Sequence, residues 1–305
     1  MNDLTTEIRN LEIETLDNLK LSKAKNTIRA YKSDFNDFLL FCSKHGMKSM
    51  PTEPKVVSLY LTHLSKQSKY STLKRRLASI NVMHRYKGHY LDTKHPIIVE
   101  NLLGIKRQIG VYQKAKKPLL FNNLKQIIKV IDKSLTSEFK KLRDKTLILI
   151  GFSGGFRRSE LVAITRDDVE FVKEGVKIFV KKSKSDQSGE GMIKAIPSFN
   201  NVKYCPVSHL ENWIFTQEVK KGKIFSISDR SVALIIKKYT NLAGLDSTKY
   251  AGHSLRSGFA TSTAESGAEE RNIMAMTGHK TTQMVRRYIN EANLFKNNAL
   301  NKIKI

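Results

Sequence analysis

Four stretches in the second half of this 305-residue sequence hold polar groups that packing alone does not require. Gly154-Gly155-Phe156-Arg157-Arg158-Ser159-Glu160-Leu161 follows one apolar helical pattern and opens another. Paired glycines let a chain turn tightly and come close to a ligand. An arginine at a helix start opposes the helix dipole, and an anion placed there removes the conflict. Glu160 is within reach of the Arg157 side chain along one helix face. In Ala251-Gly252-His253-Ser254-Leu255-Arg256-Ser257 the spacing predicts His253 and Arg256 on one face near a helix N-terminus. An imidazole beside a planar guanidinium fork suits phosphate oxygens. Thr277-Gly278-His279-Lys280-Thr281 reads as a loop entering a further helix, and Tyr288 follows within Met284-Val-Arg-Arg-Tyr-Ile289. Each stretch alone has a plain structural explanation, such as a helix cap, a surface arginine or a core tyrosine. Their sum points to anion chemistry.

The elements that must position these groups fall into two blocks. Residues 1–20 have weak periodicity and are expected to be a partly ordered arm. From Lys25 to His45 the apolar residues Ile28, Tyr31, Phe35, Phe38, Leu39 and Cys42 have helical spacing, with Gly46 as a stop. Thr52 and Pro54 open a second helix, Ser71 reads as the N-cap of a third that ends at Gly88, and a fourth is expected from Pro96 to about Tyr112. The domain over residues 21–113 is therefore predicted to be all-helical. Lys74-Arg75-Arg76, near the start of its third helix, is expected to contact phosphate or enter a groove. Residues 114–118 form a short polar, Pro-ended linker. Residues 119–305 are predicted to be mixed, with helices near Asn122–Asp132 and Ser137–Phe152. Two short strands follow around Glu174-Gly175, and a third runs over Met192–Pro197. The polar loop before that third strand includes Lys182, Lys184 and Asp186, and after Pro206 the pattern is helical to the end. The fold class is mainly α with a small β-sheet.

Lys and Arg number 54 against 28 Asp and Glu, a net charge of +26, and both blocks are basic. That balance points to a polyanionic partner, with nucleic acid ahead of a membrane surface. No stretch reaches 18 consecutive apolar residues, so no membrane span is expected, and no leader is visible at the N-terminus. Cys42 and Cys205 have no metal-type or disulfide-type spacing, which fits a reducing cytoplasm. No cluster of carboxylates has metal-ligand spacing, and Arg256 beside the histidines would repel a metal ion.

Taken in order, Arg157-x-x-Glu160, a lysine in a strand-flanked loop, His253-x-x-Arg256, Gly278-His279 and Tyr288 resemble the tyrosine recombinases, the phage integrase family. The resemblance spans nearly the whole chain. Leu77-Ala-Ser-Ile-Asn-Val-Met-His-Arg-Tyr-Lys-Gly88 and Pro51-Thr-Glu-Pro-Lys-Val are similar to the helical DNA-clamp domain of its Cre-like and Xer-type branches. The resemblance implies that Arg157 and Arg256 grip the scissile phosphate, that His253 stands beside it, and that Tyr288 is the nucleophile. Glu160 would support Arg157, and His279 would hydrogen-bond to the phosphate. Lys184 matches the hairpin lysine best, with Lys181 and Lys182 close by, and Arg158 adjoins Arg157.

These types suit the reaction. A phosphodiester repels nucleophiles and has a poor leaving group. Two guanidinium groups stabilise the charge that grows on the nonbridging oxygens. They also favour the phenolate, while His253 accepts its proton. Lys184 would protonate the departing 5′ oxygen. The product would be a 3′-phosphotyrosyl link, which conserves bond energy, so no ATP, cofactor or metal is expected.

The resemblance further implies a basic clamp around double-stranded DNA with inverted half-sites. The protein would be a monomer or weakly associated when free and a homo-tetramer on DNA, strands being exchanged through a Holliday junction. The last helix, carrying Leu294, Phe295, Leu300 and Ile303, would dock on a neighbouring subunit of the ring. A partner recombinase or accessory protein belongs to some relatives. A cytoplasmic, nucleoid-associated location is expected. Two rivals stand: a type IB topoisomerase-like nicking and resealing enzyme, and a non-catalytic DNA-binding protein of recombinase descent.

Overall fold

A computed structural model describes residues 2–21, 23–112, 115–181, 186, 189–293, 295 and 299–303. The chain divides into two units, residues 1–114 and 115–305.

The first unit is helical: α1 (Asn2–Leu21), α2 (Lys25–Lys44), α3 (Pro54–Ser65), α4 (Tyr70–Tyr86) and α5 (Pro96–Ile109). The expected arm is thus a helix. Its range contains no Gly or Pro to interrupt it, and it leaves Ile8, Leu11 and Ile13 exposed. Phe35, Phe38 and Cys42 of α2 point inward, as the spacing predicts, onto Tyr60, Leu61, Leu73, Ile80 and Ile98. The third helix begins earlier than expected. Lys69 is its N-cap and no side chain caps it, so Ser71 lies inside the first turn. Gly110, at φ +71°, ends α5 before Tyr112. His84 is a satisfied core histidine. Its Nδ1 meets the Ile80 carbonyl at 2.8 Å and its Nε2 accepts from the Thr52 amide at 3.1 Å.

The second unit packs helices around one three-stranded antiparallel sheet. In chain order it has α6 (Phe121–Lys133), α7 (Glu138–Ser153), α8 (Arg158–Leu161), β1 (Val169–Val172), β2 (Gly175–Val180) and β3 (Met192–Pro197). Then come α9 (Pro206–Thr216), α10 (Asp229–Leu242), α11 (His253–Glu265), α12 (Glu270–Thr277) and α13 (Thr282–Asn293). The strand order is β1-β2-β3, with Val169 opposite Ile178 and Ile178 opposite Lys194. Leu147, Ile148, Leu149 and Ile150 of α7 are all buried, which makes this helix the spine of the unit. Helix α11 runs so close to residue 119 that a Cβ on Gly258 would lie 2.0 Å from the Leu119 carbonyl oxygen. The chain end departs from the expected continuous helix. Helix α13 is described to Asn293, a 3-10 turn covers Ala299–Lys302, and Leu294 lies outside the described residues. Among the described residues no helix is long and apolar enough to cross a membrane.

Candidate active site

The turn after α7 builds the first part of the site. Gly155 takes φ +55°, a conformation that side chains resist, and a Cβ there would crowd Phe259 and Thr277. The turn sets Arg157 as the N-cap of α8. Glu160, only 4% exposed, accepts from the Arg157 amide at 3.0 Å and from its Nη1 at 2.5 Å. A buried carboxylate thus fixes both the backbone and the guanidinium of Arg157. Arg158 faces outward by comparison, 3.9 Å from Asp229.

Helix α11 supplies the second part. His253 is its first residue and is exposed, whereas Arg256, one turn on, is 0% exposed. Arg256 Nη1 donates to the Gly155 carbonyl at 2.9 Å, but its buried Nε and Nη2 have no protein partner. Burial first, and then the neighbouring Arg157, pull its pKa down to about 10, which still leaves it cationic at neutral pH. A buried cation with two open donors is an anion receptor whose cost is already paid.

The α12–α13 junction supplies the third part. Gly278, in the left-handed region at φ +64°, turns the chain so that His279 comes back toward Arg256. Thr277 Oγ1 donates to the Ile273 carbonyl at 2.6 Å, so it can only accept from His279 Nδ1, 2.7 Å away. The ring therefore carries its hydrogen on Nδ1 and has a bare Nε2. Burial, reinforced by Arg256 and Arg157, pushes the His279 pKa down to about 4. A neutral ring of this tautomer accepts a proton at Nε2, and it donates to a phosphate only after gaining one. That differs from the donor role that sequence reasoning assigns to it.

Arg157, Arg158, His253, Arg256, His279 and Lys280 line one cavity of about 570 Å³. Tyr288 is not part of that wall. It is half-buried against Ala260, Ala264, Ile273 and Val285, with its ring centroid 6.0 Å from that of His279. Lys184 and Lys182 lie outside the described residues. Lys181 is engaged, its Nζ 2.7 Å from the buried Asp168 carboxylate.

Of the three basic residues expected to touch DNA, two pair with an acidic residue of the first unit, Arg75 remaining exposed and Arg76 half-buried. Arg75 and Arg76 both bond to Asp34, at 2.6 and 3.3 Å, and Ser79 completes the cluster at 2.9 Å. Their partner lies some forty positions away, which the sequence does not disclose. Lys74 is exposed and, with Lys66, Lys69, Tyr70 and Tyr112, lines an open groove of about 510 Å³. Lys74→Ala is expected to reduce the slope of log K against log salt for duplex binding by about 1. Arg76→Ala is expected to lower the melting midpoint instead. Salt titrations and thermal melts of the two variants distinguish these outcomes, and an unchanged slope for Lys74→Ala would remove it from the interface.

Sequence reasoning missed an apolar cavity of about 600 Å³ in the second unit, lined by Phe121, Phe152, Ile196, Phe199, Phe259 and Met276. It also missed Thr277 and Lys194. The signal for Lys194 is present in Met192-Ile-Lys-Ala-Ile-Pro, where strand alternation puts the lysine on the same face as Met192 and Ile196.

Comparison with known proteins agrees with this architecture. The pattern of the phage integrase family matches residues 117–294, and that of its N-terminal SAM-like domain matches residues 14–89. The chain is 39% identical to an integrase/recombinase xerD homolog of Selenomonas ruminantium, over 97% of this chain and 93% of the relative. It is 25% identical to the tyrosine recombinase XerC of Syntrophus aciditrophicus strain SB, over 91% of each chain. Among solved structures, XerH site-specific recombinase bound to palindromic difH in a post-cleavage complex shares the fold. Its TM-score is 0.62 at 18% identity, covering 81% of this chain and 73% of that one. A lambda integrase dimer bound to a COC′ core site does so with a TM-score of 0.57 at 16% identity, covering 99% and 83%. The class so defined is that of the enzymes that cut and rejoin DNA strands. This chain belongs to the phage integrase family, the tyrosine recombinases.

Proposed function

We propose that this chain recombines duplex DNA at specific inverted half-sites, through a 3′-phosphotyrosyl intermediate and a Holliday junction, without ATP or a metal. The observation that carries the reading is Arg256, buried with two open donors in a cavity it shares with Arg157, His253 and His279. Arg157 and Arg256 take the nonbridging oxygens, and Glu160 holds Arg157 in place. Tyr288 attacks phosphorus, and Lys184 protonates the 5′ oxygen as it leaves. Sequence reasoning assigns the phenol proton to His253. His279 stands 6.0 Å from the Tyr288 ring, but a pKa of about 4 makes it a poor acceptor for a phenol proton, so His253 keeps that role and His279 contacts the phosphate. His253, at the helix start, meets the phosphate from the open side.

The test is a nicked suicide duplex carrying the cognate site. A covalent protein–DNA adduct is expected on that site and not on unrelated sequences. No adduct would favour the non-catalytic rival, and adducts on many sequences without paired sites would favour the topoisomerase-like one.

A tetramer on DNA is part of the proposal. Phe295, Leu300 and Ile303 at the chain end are exposed, and the apolar cavity of the second unit is open. Its occupant in the proposal is the C-terminal segment of a second copy, a head-to-tail contact that closes into a ring. Deleting residues 298–305 is expected to leave binding to one half-site unchanged. It should weaken assembly roughly tenfold or more, the loss of one well-buried anchor. Gel-shift titration on the full site measures both, and full tetramer formation by the truncated protein would reject the exchange. A cytoplasmic, nucleoid-associated place follows from this function.

A further inference from the structure

Lys194 is the one lysine in the buried class among the described residues, and it does not belong to the cavity wall. Its Nζ donates to the Gly154 carbonyl at 2.7 Å and also to the Met276 carbonyl, and it lies 4.8 Å from the centre of the Phe156 ring. Those two carbonyls share a property. Gly154 caps the C-terminus of α7, and Met276 sits in the last turn of α12. Carbonyls at helix C-termini have no partner within the helix, and the dipole makes both ends partly negative. One ammonium group therefore closes two helix ends at once. Each end leads directly into a candidate catalytic segment, Arg157 three residues after Gly154 and His279 three residues after Met276. The next carbonyl along, that of Gly155, is held by Arg256.

We infer that Lys194 is a positioning residue for strand cleavage: by bridging Gly154 O and Met276 O it fastens the segment carrying Arg157 to the segment carrying His279, and so sets their separation before DNA arrives. The inference rests on the proposed function. Burial holds the Lys194 pKa down to about 7, with Glu160 raising it and Arg256 and Arg157 lowering it. Both protonation forms keep at least two N–H donors, so the bridge survives a change of charge. Strand β3, which carries Lys194, also follows the 181–191 connection that contains Lys184. The same strand thereby ties the two helix ends to the sheet.

The test compares Lys194→Met, Lys194→Gln and Lys194→Arg with the wild-type full chain on the cognate suicide duplex, in single turnover and well below each melting midpoint. Lys194→Met fills the space but donates to neither carbonyl. It is expected to lower the rate of adduct formation roughly 10- to 100-fold, the scale of a small misplacement of reacting groups. Affinity for uncleaved duplex should stay unchanged. Lys194→Arg, which keeps a cation with several donors, should restore most of the rate. Lys194→Gln, whose amide donates but is one bond too short to span both carbonyls, carries the test if the methionine variant unfolds at the assay temperature, with a loss of rate again expected. The inference fails if a folded methionine or glutamine variant cleaves at the wild-type rate. It fails equally if every neutral variant loses the fold, because Lys194 would then be a core prop only. Absence of adduct from the wild-type chain would instead defeat the proposed function.

Discussion

Tyr288→Phe is expected to give a protein that folds, binds its site and forms no covalent adduct with a suicide duplex. The ring packs against Ala260, Ala264, Ile273 and Val285, and phenylalanine keeps that packing. The melting midpoint should therefore move little. What is lost is the only oxygen that the proposal gives to phosphorus. Removing a nucleophile from an enzyme that works through a covalent intermediate costs roughly 10⁴-fold or more in rate. Cleavage and recombination should both fall below detection, whereas the number of phosphate contacts, and with it the salt dependence of binding, should not change. Tyr288 lies beside the cavity, its ring centroid 6.0 Å from that of His279 and near enough to Arg256 to raise a pKa that burial lowers. A residual adduct in Tyr288→Phe that maps to another side chain would overturn the assignment.

The candidate site was legible because its chemistry is local in sequence. Arg157 with Glu160 and His253 with Arg256 lie three residues apart, so helix geometry alone places each pair. Arg157, His253, Arg256 and His279 do share one cavity. The strand at Met192–Pro197 was also legible, since Ile193 and Ile196 are β-branched and Pro197 ends it. Other features depend on partners far along the chain. Arg75 and Arg76 read as surface cations until Asp34, on another helix, is placed beneath them. Lys194 reads as a polar strand residue until two helix ends converge on its amine. The tautomer of His279 depends on a threonine hydroxyl committed to the Ile273 carbonyl, and spacing cannot reveal that. The N-terminal segment was underestimated for a different reason. Its apolar residues make no clear stripe, yet a run without Gly or Pro can still be helical.

The two candidate arginines are expected to respond oppositely to removal, and the contrast tests the site more sharply than loss of activity alone. Arg256→Met keeps the volume and discards a buried charge whose Nε and Nη2 have no partner. The change leaves the Gly155 carbonyl unpaired, a cost of about 1–3 kcal/mol, but it also relieves the desolvation of the cation. The two effects nearly cancel, so the free protein should melt within a few degrees of wild type or above it. Its cleavage rate should fall about 10²–10³-fold, or roughly 3–4 kcal/mol of lost transition-state stabilisation. Arg256→Lys should not recover that rate, because an ammonium cannot span two oxygens as a planar fork does. Arg157→Ala removes the partner of Glu160, which is only 4% exposed, and leaves that carboxylate buried beside the Arg157 backbone amide. It should cost about 2–3 kcal/mol of stability in addition to a comparable loss of rate. Thermal melts alongside single-turnover cleavage decide the matter. If Arg256→Met melts far below wild type, Arg256 is a structural strut and the open donors are not waiting for phosphate. If Arg157→Ala melts like wild type, Glu160 is not the residue that holds it.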